Sequence, residues 1–121
     1  MSIKGHVEKT LDGIRNGTII ETMKQLYDEN VVMQENTGEP TVGLAANLER
    51  EQQFIDSVKE WTGFDVQAIA TDGDDGSVTG TAFVQYSFSF VGQDDQPVTY
   101  AQVAVQQWKD GKIVKEQFFH G

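Results

Sequence analysis

The sequence predicts an α+β fold in which three N-terminal helices pack on a mainly antiparallel sheet. Apolar residues recur at helical spacing as far as about Trp61, and from Phe64 onward they alternate with polar residues as they do along strands. The cleanest alternation lies in the stretch Ser77 to Val91, where Val84, Tyr86, Phe88 and Phe90 share one face and Gln85, Ser87 and Ser89 the other. An aromatic face of that length has to be covered. The helices are expected to cover part of it and to leave the rest as the wall of a ligand cavity.

Taken in order, residues 3 to 15 place Ile3, Val7, Leu11 and Ile14 on one helical stripe, with Ser2 positioned to cap the start. Asn16-Gly17 suits a left-handed stop, after which Ile19, Ile20, Met23, Leu26 and Tyr27 form a second stripe. Asp28-Glu29-Asn30 interrupts it, and Val31 to Glu35 reads as a short strand. Asn36 to Pro40 is a loop, with Thr41 available to cap a long third helix from Val42 to about Trp61. Phe64 to Ala70 is the next strand, with Phe64, Val66, Ala68 and Ala70 on its apolar face. The run Asp72 to Gly76 lacks the ligand spacing and closing glutamate of a calcium loop, so it reads as a solvated turn. After the Ser77–Val91 strand come a loop at Gly92 to Pro97, a strand from Val98 to Lys109, a hairpin turn at Asp110-Gly111 and a last strand from Lys112 to Phe119. The faces of that last strand are Ile113, Lys115, Gln117 and Phe119 against Val114, Glu116, Phe118 and His120.

A chain of 121 residues fits a single domain, here residues 1 to 121, and supports one core. Nine basic residues against nineteen acidic ones give a net charge of −10, which opposes contact with nucleic acid or an anionic membrane. There is no cysteine, hence no disulfide framework, thiol chemistry or thiolate zinc site. No secretion signal or membrane span is expected, and a cytoplasmic location is.

The element order, the segment Leu26-Tyr27-Asp28-Glu29-Asn30-Val31-Val32-Met33 and the ending Trp108-Lys109-Asp110-Gly111-Lys112-Ile113-Val114 resemble the nuclear-transport-factor-2-like superfamily. That superfamily includes ketosteroid isomerases, limonene-epoxide hydrolases and SnoaL-like polyketide cyclases. The resemblance implies a cone: a strongly curved, mainly antiparallel cystatin-like sheet wraps the helices, and a pocket opens on its concave face. It also implies dimerisation through the outer face of the sheet, where Val103 and Val105 are too apolar to be left to solvent.

Matched to a ketosteroid isomerase, Glu35 falls where the general-base aspartate stands, while Thr10 or Leu11 and Ala104 fall where the oxyanion donors stand. The same match turns Val84, Tyr86, Phe88, Gln106, Trp108, Glu116, Phe118 and His120 inward. Glu116 and His120, on one strand face either side of Phe118, are expected to pair as carboxylate and imidazole. The candidate catalytic residues are therefore Glu35, Glu116 and His120. Tyr86, Phe88, Gln106, Trp108, Phe118 and Val84 are the candidate ligand contacts. Tyr27 and Trp61 are expected in the core of the helical layer and His6 on the exposed side of the first helix. No metal site and no cofactor are expected.

Two functions fit this set. One is an isomerase, cyclase or dehydratase in which Glu35 removes a proton beside a carbonyl of an apolar or polyketide-like molecule. The other is a non-catalytic module that binds an apolar metabolite in the same pocket. A pure interaction domain working through the outer sheet face is a third possibility.

Overall fold

The computed structural model describes residues 2–121. Its helices are α1 (Ile3–Arg15), α2 (Ile19–Leu26) and α3 (Leu44–Asp56); its strands are β1 (Tyr27–Glu35), β2 (Thr41–Val42), β3 (Val58–Asp74), β4 (Thr79–Gly92), β5 (Pro97–Lys109) and β6 (Lys112–His120). The strands form one mixed sheet in the order β2-β1-β6-β5-β4-β3. Among the described residues only the β1–β6 pair is parallel.

Ser2 caps α1 as its composition suggests, its hydroxyl accepting from the Gly5 amide at 2.9 Å. The stripe Ile3, Val7 and Leu11 is buried against Met23, Tyr27, Val31, Ala82, Val84, Trp108 and Ile113, which joins the helices to one face of the sheet. Gly73 and Gly80 pair across the β3–β4 hairpin at φ +151° and +153°, and a Cβ on Gly73 would meet the Thr79 carbonyl and approach Ile3 Cδ1. Glycine here lets α1 seat its first residue on the hairpin.

Four expectations are corrected. The third helix stops at Asp56, so Val58 and Trp61 belong to β3. Ser57 folds back on the helix end, its hydroxyl donating to the Phe54 carbonyl at 2.6 Å, and Val58 and Trp61 beyond it pair with Gly92 and Phe90. Thr41, expected to cap this helix, lies in β2 and bonds Arg50, while Gly43 is the N-cap residue. Tyr27 opens β1 instead of closing α2, because it pairs alongside Ile113 of β6. His6 is buried, 5% exposed, with its ring edge-on to Trp108 at 5.6 Å.

Of the register shifts in the sheet, those at Val66/Ala68 and Gln107/Trp108 bear on which side chains face inward. On β3 the register slips between Val66 and Ala68, so Phe64 and Val66 are followed inward by Ile69 and not by Ala68 and Ala70. On β6, Trp108 pairs with Ile113 while Gln107 pairs with Lys115, which leaves Val114 as the extra residue. Ile113 therefore lies on the same buried face as Glu116, opposite to what unbroken alternation gives.

Candidate functional site

A cavity of about 890 Å³ lies between the helices and the inner sheet face. Helices α1 and α2 contribute Leu11, Ile14, Ile19 and Met23; α3 contributes Asn47, Glu51 and Phe54; the sheet contributes the remaining wall from β1, β3, β4, β5 and β6. Most of the lining is apolar, with a small number of polar groups turned in, as small-molecule sites generally are.

One end is aromatic. Tyr86, Phe88 and Phe90 follow one another along β4 with adjacent rings stacked at 6.2 Å, because residues two apart on a strand share a face. Tyr100 of β5 stacks on Phe88 at 5.4 Å, and Phe54 of α3 closes edge-on over Phe88 and Phe90. Trp61 joins this cluster from β3 and is half exposed, so it stands at the edge of the cavity and not in the helical core.

Glu116 sits in the cavity wall at 3% exposure. The Tyr27 hydroxyl donates to its Oε1 at 2.5 Å and the Gln106 side-chain amide to its Oε2 at 2.8 Å. Trp108 Nε1 donates to Gln106 Oε1 at 3.0 Å; because an indole N–H can only donate, it fixes which end of the Gln106 amide faces Glu116. Burial pushes the Glu116 carboxyl up to about 7 against the two donors, which lower it; the charges of Glu51 and Glu35 raise it further. Burial and the Glu116 charge hold the Tyr27 phenol well above its ordinary value, so it remains a donor. Tyr86 is likewise raised by burial, and its oxygen accepts from Gln102 at 2.6 Å, which leaves its own hydroxyl hydrogen free.

Glu35 and His120 meet at the cavity edge, His120 Nε2 lying 3.0 Å from Glu35 Oε2. Asn36 anchors this end of β6: its Oδ1 accepts from the His120 amide at 3.0 Å and its carbonyl from the Gln117 side chain at 2.7 Å. His120 therefore pairs with Glu35 and not with Glu116. Residues four apart on a strand lie about 13 Å apart, and each finds a nearer partner on a neighbouring strand.

Of the other expected contacts, Val84, Tyr86, Phe88, Gln106 and Phe118 line the cavity. Trp108 does not; it is 2% exposed and lies behind Gln106, against His6. Thr10 and Leu11 line the cavity too, but the Thr10 hydroxyl donates back to the Val7 carbonyl at 2.7 Å. Sequence reasoning missed Tyr27, Gln102 and Glu51. Glu51 had a signal: it interrupts the apolar stripe Leu44, Leu48, Ile55 at the position where that stripe should continue.

A family profile described as the SnoaL-like domain matches residues 7–116. Among solved structures, the chain is similar to a protein assigned as a SnoaL-like polyketide cyclase from Mesorhizobium loti (TM-score 0.77, 18% identity, covering 99% of this chain and 100% of that one). It is also similar to an NTF2-like protein of unknown function from Burkholderia pseudomallei (TM-score 0.82, 11% identity, 100% and 92%). A third similar structure is a protein assigned as an isomerase from Rhodopseudomonas palustris (TM-score 0.75, 15% identity, 94% and 87%). A search of curated proteins returned no match. Among the described residues no helix is long and apolar enough to cross a membrane.

Proposed function

Because this chain belongs to the SnoaL-like domain family, we propose that it is a cofactor-independent acid–base enzyme of the isomerase, cyclase or dehydratase type, acting on an apolar, polyketide-like carbonyl compound. The observation that carries the reading is Glu116: a carboxyl group buried in the cavity wall and poised near 7 exchanges a proton readily at neutral pH.

In this reading protonated Glu116 donates to the Tyr27 oxygen, and the Tyr27 hydroxyl hydrogen turns to the substrate carbonyl oxygen. Glu35, oriented by His120, removes a proton from the adjacent carbon. As that C–H bond breaks, its electron pair becomes a C=C bond and the carbonyl π pair moves onto oxygen. That oxygen takes the Tyr27 proton, and Tyr27 takes the proton of Glu116. Return of the carbon proton at a second position, with the oxygen proton passing back to Glu116, completes an isomerisation and restores the protein. Tyr86 supplies a second donor to the same oxygen, while Val84, Phe88 and Phe118 pack against the apolar body. Gln106 and Trp108 act as positioning residues that hold Glu116. The sheet is read as the curved wall of a cone, with its register shifts supplying the bends.

Hydrogen–deuterium exchange beside the carbonyl of bicyclic enones and polyketide-like ketones tests the reading. Glu116→Gln should lower exchange by roughly a hundredfold or more with ligand binding retained; undiminished exchange removes Glu116 from the mechanism.

One observation favours the non-catalytic binding module. At the positions where ketosteroid isomerases carry oxyanion donors, Thr10 bonds its own helix and Ala104 has no donor. A ligand that raises Tm without any carbon-bound proton exchange would select that reading.

We further propose a homodimer through the outer sheet face. Val103 and Val105 of β5 lie there between Phe83 of β4 and Phe119 of β6, which are 43% and 42% exposed. Val105 pairs with Phe83 and Val103 with Phe119, so the four side chains form one apolar patch.

A further inference from the structure

The cavity is bordered by three carboxylates, Glu35, Glu51 and Glu116, and two of them are already bonded within the protein. Glu35 meets His120, and each oxygen of Glu116 accepts a hydrogen bond. Glu51 has no such partner among the described residues. Its carboxyl group is acted on by burial, which raises it, and by the charges of Arg50 and Glu35, with no hydrogen bond contributing. The two arginines that border the cavity are bonded elsewhere: Arg50 donates to the Thr41 hydroxyl at 2.9 Å, and Arg15 pairs with Asp12 at 3.0 Å while covering the Phe64 ring.

Glu51 is half-buried, and no hydrogen bond from the protein offsets the partial desolvation that burial imposes on its carboxyl group. On the stripe Leu44, Leu48, Ile55 an apolar residue would pack without that cost. A carboxylate aimed into the cavity is useful when a bound molecule brings the missing donor.

We propose that Glu51 recognises a hydrogen-bond donor on the ligand, so that the molecule held here is a flat, apolar body carrying a hydroxyl or an ammonium group at a position separate from its carbonyl. This rests on the cavity being a small-molecule site, as proposed above, and narrows what it takes. Phe88, Tyr86, Tyr100 and Trp61 form an aromatic wall for the flat body to pack against. The lining of α3, which carries both Glu51 and Phe54, places the acceptor beside the aromatic end.

Three probes of one shape separate the outcomes: 2-naphthol as a neutral donor, 2-naphthylmethylamine as a cationic donor and 2-methylnaphthalene with no donor, each titrated calorimetrically at neutral pH. At least one donor probe should bind the wild type roughly ten- to a hundredfold more tightly than 2-methylnaphthalene, the usual worth of a hydrogen bond to a charged group. That preference should collapse in Glu51→Leu and weaken in Glu51→Gln, which keeps an acceptor without the charge. Preference for the amine alone assigns a cationic ligand, and preference for the naphthol alone a hydroxylated one. Equal binding of all three probes to the wild type, or a donor preference that persists in Glu51→Leu, overturns the inference and leaves the small-molecule cavity standing. Failure of all three to bind overturns both.

Discussion

Tyr27, the first residue of β1, donates its hydroxyl to Glu116 at 2.5 Å, joining two residues 89 apart in sequence at the start of the parallel β1–β6 pair. The bond links a phenol kept protonated to a carboxyl group that titrates near 7. A donor to the ionised carboxylate favours the charged form, so Tyr27 partly restrains the rise that burial imposes on Glu116.

Removing that restraint has a defined sign. In Tyr27→Phe the Glu116 carboxyl should titrate above about 7, followed by carbon-13 NMR of labelled glutamate. The lost buried hydrogen bond should cost about 1–2 kcal/mol in denaturant unfolding. An unchanged Glu116 titration would show that the bond does not act on the carboxyl group.

Stability should fall as pH rises through neutrality. The folded protein holds the Glu116 proton to about 7, whereas the ordinary glutamate value is 4.5. The folded state therefore binds more protons than the unfolded one between those values. This contribution is fully present below about 4.5 and is lost by the time pH has passed 7, a change of order 3 kcal/mol. Glu116→Gln should flatten this slope in urea titrations at several pH values. The isosteric amide fits the site: its oxygen accepts from Gln106, and the Tyr27 oxygen accepts from its NH₂.

The Glu35–His120 pair should matter far more to turnover than to folding. Their side chains are 50% and 23% exposed, and a hydrogen-bonded carboxylate–imidazole contact in such surroundings contributes under about 1 kcal/mol. Glu35→Gln and His120→Gln should leave Tm nearly unchanged while altering the pH profile of proton exchange on any substrate found. A large fall in Tm would instead identify the pair as structural, through the Asn36 anchor of β6.

Self-association should respond to the outer face and not to the cavity. Val103→Lys or Val105→Lys should shift the sedimentation equilibrium toward monomer, since each puts a charge among Phe83 and Phe119. A wild-type monomer at high concentration would remove this interface.

The helical stripe of α1, the β4 alternation and the Asp110-Gly111 hairpin were legible because each depends on near neighbours in sequence. Trp61 was misread because its spacing from Ile55 and Val58 suits a helix as well as a strand; what decides is the ladder to Phe90, a long-range contact. Glu35, Glu116 and His120 all reach the cavity, but their pairing did not follow from strand faces. Glu116 bonds across to β1 and β5, and His120 to β1. Tyr27 stayed hidden because Leu26 and Tyr27 continue an apolar stripe, and only the fold reveals a carboxylate opposite the phenol.

The extra residue at Val114 ties the chemistry of β6 into one heritable unit. Ile113, before it, belongs to the core, and Glu116, Phe118 and His120, after it, belong to the cavity. Were the ladder to slip by one so as to absorb Val114, all three cavity residues would turn to the opposite surface together. A lineage that lost this irregularity in place, by deleting Val114, would keep the same facing but straighten the strand beneath Glu116. Variation at this point in related chains would thus reshape the chamber in a single step, without a change to any residue that lines it.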